Sequence, residues 1–231
     1  MNTQQGHRVK EYVLRGRGPN MMTVESLDEL HDFLVANPES PVLIYGEGSA
    51  FSSGHDLDAL HEHTPEEISR STSDAMERLF YHRAPTVAAI NGHAVAGGCM
   101  VAQACDVRLC SENPQIRFSL PGVALGITYP PKIERLLRYR LPAHTADRVL
   151  LEAAQHGPEA ALRLGLIDEI VPDACASGRE LIQRLAEHSP RAYFEAKRHL
   201  RYGQLDVTDA EVAHHAKLFA AQYAAGVSRR K

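Results

Sequence analysis

The chain has 231 residues, 44% of them hydrophobic and 23% charged, with a formal charge of −4. That length is enough to bury a sizeable core, and the slight acidity excludes a broad basic surface for nucleic acid or an anionic membrane. No stretch approaches the roughly 18 uninterrupted apolar residues of a membrane helix, and the opening MNTQQGHRVKEY lacks the apolar centre of a secretory leader. A cytoplasmic protein without nucleic-acid or membrane partners is therefore expected. The four cysteines, Cys99, Cys105, Cys110 and Cys175, show no CxxC spacing, and three lie in apolar stretches, which suits small core residues in a reducing compartment. The thirteen histidines are scattered, and His214 and His215 are adjacent, about 100° apart on a helix, so no metal site is expected.

Short apolar runs rich in β-branched residues alternate with amphipathic stretches, the pattern of an α/β fold. Tyr12 to Leu14 reads as a first strand. From Thr23 onward Leu27, Leu30, Phe33 and Leu34 recur at helical spacing, and Ser26-Leu27-Asp28-Glu29 has capping-box form. Pro41 to Tyr45 reads as a buried strand, followed by the loop GEGSAFSSGHDL at 46–57. Pro65 suits the first turn of a helix running to about His82, and Thr86 to Ile90 is the next strand. Ala96 to Ala104 reads as a buried helix opening on Gly97 and Gly98; Val107 to Cys110 and Ile116 to Phe118 read as strands, before a loop at 120–131. Helical signals then dominate, over 133–138, 143–153, 158–164, 177–188, 191–202 and 208–225, broken only by the short run Leu166 to Val171. The organisation expected is a core over 1–175 and a helical segment over 176–231.

Two segments place small residues directly after a strand. In Phe51-Ser52-Ser53-Gly54-His55-Asp56 and in Asn91-Gly92-His93-Ala94-Val95-Ala96-Gly97-Gly98, a ligand can approach backbone N–H groups, the second time at a helix N-terminus where unpaired donors and the dipole favour negative charge. Two such donors converging on one point make an oxyanion hole. The segment AFSSGHDL resembles the AF(S/A)AGxDL segment of the crotonase (enoyl-CoA hydratase/isomerase) superfamily, and the run from Ala89 to Gly98 resembles its AxxGxAxGGG segment. CDVRLCSENPQIRFSLPGVALGI and AALRLGLIDEIVP are similar to two later family passages, so the resemblance extends from about residue 11 to about 220.

The resemblance implies a crotonase (ClpP/crotonase-like) fold, with repeated ββα units forming two roughly perpendicular sheets and a helical C-terminal part that mediates a homotrimer or homohexamer. The alternation of elements alone also permits a doubly wound sheet. It further implies an acyl-CoA or acyl-pantetheine thioester as substrate, no separate cofactor, and the backbone N–H groups of Ser53 and Gly97 as oxyanion donors. Phe51, Ser52, Gly54, Leu57, Gly98, Met100 and Gly122 become candidate substrate-binding positions, and so does Asp56, which in the family usually organises the loop. Basic side chains of the C-terminal helix hold the CoA phosphates in the family; here the tail ends in Arg229, Arg230 and Lys231.

The departures point elsewhere. The two positions where hydratases carry proton-transferring glutamates are Met100 and Gly122, and neither can move a proton. His55 and Tyr129 remain, and the segments around both resemble those of methylmalonyl-CoA decarboxylase, whose reaction needs no base to start it. Three readings stay open: an enolate-forming decarboxylase of malonyl-type thioesters, a hydratase, isomerase or thioester hydrolase with a different base, and a non-catalytic acyl-CoA or partner-binding protein.

Overall fold

The computed structural model describes residues 8–228. Its elements run β1 (Lys10–Leu14), an irregular turn α1 (Arg17–Asn20), α2 (Val24–Ala36), β2 (Val42–Gly46), a 3-10 turn (Ala59–Glu62), α3 (Pro65–Phe80), β3 (Thr86–Ile90), β4 (Ala94–Val95) and α4 (Gly97–Ala104). The second half runs β5 (Val107–Ser111), β6 (Phe118–Ser119), α5 (Gly122–Leu125), α6 (Pro131–Arg140), α7 (Ala143–Glu152), α8 (Pro158–Leu164), β7 (Glu169–Val171), α9 (Ala174–Ala186), α10 (Pro190–Arg201) and α11 (Asp209–Ser228).

Five parallel strands make the main sheet in the order β1-β2-β3-β5-β7. A second, smaller sheet pairs β4 with β6, and single bridges from Ser52 to Ala94 and from Phe118 to His156 extend it on both sides. The repeat is visible: β3, β4 and α4, then β5, β6 and α5, each give one strand to the main sheet, one to the small sheet and a helix. Among the described residues no helix is long and apolar enough to cross a membrane, and no group of three or more His, Cys, Asp or Glu side chains could hold a metal ion.

Both faces of the main sheet are covered, which is why its strands are continuous apolar runs rather than alternating ones. Val42 and Ile44 of β2 and Ala88 and Ile90 of β3 point into the larger core with α2, α3, α4 and α6. Leu43, Val87, Ala89 and Leu109 point to the other face, where Ala174 and Ile182 of α9 cover them. Gly178 lets α9 lie flat there, because a Cβ on it would stand 2.8 Å from Leu43 Cδ1 and 3.1 Å from Ala89 Cβ. Position 175–176 falls inside α9, so the first helix of the C-terminal segment is part of the sheet's cover.

Several boundaries differ from expectation. The capping box of α2 is one turn earlier: Thr23 is the N-cap, with its hydroxyl accepting from Ser26 N, while Ser26 Oγ accepts from Thr23 N. The loop expected at 120–131 contains the single turn α5, and the strand expected at 116–118 is displaced to Phe118 and Ser119.

Helix α10 is clamped to the sheet by a buried charge cluster. Asp106, just before β5, accepts from Thr86 N and Tyr193 Oη at 2.9 Å and pairs with Lys197 at 2.8 Å and Arg201 at 2.7 Å. Burial by itself would raise this carboxyl, but the two cations bring it down to about 2. Removing one partner from a buried ion cluster leaves uncompensated charge. Asp106→Ala is therefore expected to lower unfolding free energy by about 3–5 kcal/mol in urea titrations. Because the folded carboxyl is depressed, its stabilising contribution is complete above about pH 4 and is lost as pH falls towards 2, so the acid limb of the unfolding curve should flatten in this variant.

Candidate active site

The two glycine-bearing segments meet. Gly54, with φ +88°, sits so close to the start of α4 that a Cβ on it would be 2.8 Å from Ala96 Cβ and 3.0 Å from Gly97 N. A Cβ on Gly98 would be 2.3 Å from the Ser52 carbonyl oxygen. Gly97 is the first residue of α4, and its N–H has no acceptor among the described residues, as the geometry of a helix N-terminus dictates. Ala96, just before it, is held at φ +48° and ψ −113°, a conformation that disfavours a side chain.

The loop carrying Ser53 is rigidly tied. Ser52 Oγ donates to Asn20 O at 2.7 Å and accepts from Gly54 N at 3.1 Å, and Asn20 Nδ2 donates to the carbonyls of Glu47 and Ala50. Asp56 accepts two bonds from the Arg17 guanidinium, at 3.0 and 2.8 Å, and one from Asp58 N at 3.1 Å. Arg17 holds its carboxyl below the usual aspartate range. Phe51 is fully buried in the core. Phe51, Ser52 and Asp56 thus build the loop. Ser53 N–H, the other expected oxyanion donor, donates to Pro19 O at 3.0 Å, so a thioester oxygen reaches it only by displacing that carbonyl.

Ser53, His55, Leu57, Met100, Gly122 and Tyr129 all line one cavity of about 170 Å³. Side chains the sequence reading did not single out complete it: Ile68 and Thr72 from α3, Leu125 from α5 and Phe219 from α11. Gln222 of α11 accepts from Thr128 N at 3.0 Å, tying the C-terminal helix to the loop before α6. Arg229, Arg230 and Lys231 lie outside the described residues. A larger cleft of about 390 Å³ opens where Pro41 and Pro85 enter the sheet and contains none of the candidate site residues.

No carboxylate, lysine or arginine lines the smaller cavity among the described residues. Its titratable groups are neutral. Burial lowers His55 to about 4, and burial pushes the Tyr129 phenol far above its ordinary value, so it keeps its proton. The Tyr129 oxygen accepts from Gly122 N at 2.9 Å, which leaves its own O–H to donate into the cavity. A Cβ on Gly122 would be 2.9 Å from Tyr129 Cζ. The tyrosine ring therefore fills the space a side chain at 122 would need, and a glutamate has no room there.

The sequence from residue 14 to 229 matches the family model for enoyl-CoA hydratase/isomerase. The chain belongs to this family. It is thereby a member of the crotonase superfamily, as its motifs imply. Within the enoyl-CoA hydratase/isomerase family, 2,3-dehydroadipyl-CoA hydratase of Escherichia coli is 28% identical over 207 residues, covering 87% of this chain and 79% of the relative. Enoyl-CoA hydratase domain-containing protein 3 of Rattus norvegicus is 31% identical over 183 residues, 74% of this chain but 59% of that protein's length. The fold of human mitochondrial delta3-delta2-enoyl-CoA isomerase superposes with a TM-score of 0.83 at 23% identity, covering 95% of this chain and 93% of that one.

The turn at the head of α4 gives opposed expectations for two substitutions in this family member. Ala96→Gly relieves a backbone conformation costing about 1–3 kcal/mol, offset in part by glycine's extra chain entropy, and should raise Tm. Gly98→Ala drives a Cβ into a backbone carbonyl that cannot swing away, and should lower Tm by several degrees or more.

Proposed function

We propose that this protein is an acyl-CoA enzyme that forms a thioester enolate without a carboxylate base, and that the reaction it suits best is decarboxylation of a malonyl-type thioester. The observation that carries this reading is the chemistry of the cavity wall, which holds the neutral side chains His55 and Tyr129 and no acid–base carboxylate among the described residues; behind His55, Gly97 at the head of α4 has an N–H with no acceptor among those residues.

In this reaction the electrons of the bond to the departing carboxylate become the enolate, and CO₂ leaves. Negative charge gathers on the thioester oxygen. Gly97 N–H, aligned with the dipole of α4, stabilises it there; one such preorganised donor contributes roughly 3–4 kcal/mol in other enzymes. The second donor, Ser53 N–H, joins when the Pro19 carbonyl yields to the substrate. A glutamate would repel the substrate carboxylate, and none lines the cavity among the described residues; a neutral Tyr129 hydroxyl can donate to that carboxylate, and later a proton to the α-carbon. The apolar lining from Ile68, Met100, Leu125 and Phe219 solvates the carboxylate poorly and the more diffuse enolate less so.

A second reading, a shift of a double bond with His55 as the one base, is favoured by the unbonded Nδ1 of that ring. The two readings separate by product: mass reports loss of CO₂ or gain of water, and the ultraviolet absorbance of a conjugated 2-enoyl thioester reports a shifted double bond. With malonyl-, methylmalonyl-, crotonyl- and 3-enoyl-CoA offered in turn, the first expects CO₂ loss from the malonyl-type thioesters and little hydration of crotonyl-CoA. Isomerisation of 3-enoyl-CoA without CO₂ release would give the site to the second. For the active substrate, Tyr129→Phe and His55→Ala should each lower kcat about 10²-fold or more with product binding little changed. The parental rate should be flat from about pH 5 to 9 and fall as pH drops towards 4, where His55 gains a proton; an inflection near 6.5 would show a solvated histidine instead.

A further inference from the structure

His55 does not stand alone in the cavity wall. Its Nε2 lies 2.9 Å from Thr72 Oγ1 on α3, and Thr72 Oγ1 lies 2.7 Å from the carbonyl oxygen of Ile68, one helical turn earlier. A carbonyl only accepts, so the threonine hydroxyl spends its single proton on Ile68 O. Its oxygen is then an acceptor towards the imidazole, and the ring must carry its proton on Nε2. Nδ1 is left as a lone pair. It has no partner among the described residues, and it lies 3.5 Å from the point where a Cβ on Gly97 would stand, beside the free N–H of the oxyanion site.

We propose that Thr72 is a positioning residue that fixes His55 as the Nε2–H tautomer, so that an acceptor, Nδ1, faces the acyl group next to Gly97. The pairing has a structural logic. Thr72 is 2% exposed and its rotamer is held by the bond within its own helix, so α3 supplies a fixed acceptor at the back of the ring. The imidazole cannot flip without pointing its N–H at nothing. The two ring side chains of the cavity therefore have fixed roles, Nδ1 of His55 as an acceptor and the Tyr129 hydroxyl as a donor. For the substrate this selects a thioester whose acyl group offers a proton or another donor on the His55 side and an acceptor on the Tyr129 side. The inference rests on His55 acting at the cavity, as in the function proposed above, but the tautomer is readable without any turnover.

The test is nitrogen NMR of the full chain with ¹⁵N-labelled histidine, His55 being assigned by its loss in His55→Ala. The parent is expected to show protonated Nε2 and unprotonated Nδ1, and a non-reactive acyl-CoA thioether should shift the Nδ1 resonance. Thr72→Val keeps the shape and removes the acceptor, and should abolish the single-tautomer signature; Thr72→Ser should restore it. On the active thioester, Thr72→Val should lower kcat about 10-fold or more with a smaller change in KM, and the serine variant should recover most of that loss. An Nδ1–H ring in the parent, or a tautomer unaltered in a folded Thr72→Val variant, overturns the proposal. The expected tautomer pattern in a protein that turns over none of the thioesters would uphold the positioning role and sink the proposed function instead.

Discussion

The site depends on one close approach, that of the loop after β2 to the N-terminus of α4. Gly54 and Gly98 are each pressed against backbone of the other segment, and Gly97 stands between them with its N–H unpaired. No side chain fits at Gly54 or Gly98 without moving backbone. The main sheet makes this meeting possible by setting β2 and β3 side by side in parallel, so that the loops leaving both strands emerge at the same edge, and the small sheet locks them together through the Ser52–Ala94 bridge. Strain at Ala96 is one cost of turning the chain sharply enough to aim α4 at the cavity.

The second governing feature is the absence of charge from the described wall of the cavity. A carboxylate in so apolar a cavity needs a cation or several donors to stay ionised, and the described wall offers neither lysine nor arginine. His55 and Tyr129 respond as buried groups do, each retreating to its neutral form. Buried charge is instead paired away from the cavity wall, as at Asp106, Lys197 and Arg201, which fasten α10 to the sheet. Under the proposed function, electrostatic stabilisation falls to backbone dipoles, which cannot be titrated away.

Much of the architecture was legible in the residues. The strands at 42–46, 86–90 and 107–111 announce themselves as apolar runs, and the helices from Pro65 and Pro158 by a proline in the first turn after a capping or glycine residue. The motifs alone point to Ser53, His55, Gly97 and Tyr129; the first, second and last line one cavity, and Gly97 lies beside His55. What stayed hidden is of two kinds. Strand β4 is two residues long, too short for any period to show, and Ser26 has the composition of an N-cap although it serves as the third residue of α2. The other kind is long-range: the Pro19 carbonyl on Ser53 N–H, Thr72 behind His55, and Phe219 closing the cavity from α11 each join residues far apart in the chain. Gly122 reads from sequence as a missing glutamate; the structure adds that the Tyr129 ring has taken the space.

The central claim is that an enolate oxygen is held by Gly97 N–H beside a cavity whose described wall carries no carboxylate. A crystal structure with a CoA thioether bearing a nitronate in place of the enolate tests it most directly. The account predicts a nitronate oxygen about 2.7–3.1 Å from Gly97 N, with Tyr129 and His55 as the nearest polar side chains. A nitronate turned away from Gly97, or met by an aspartate or glutamate at hydrogen-bond distance of the reacting carbon, would contradict it.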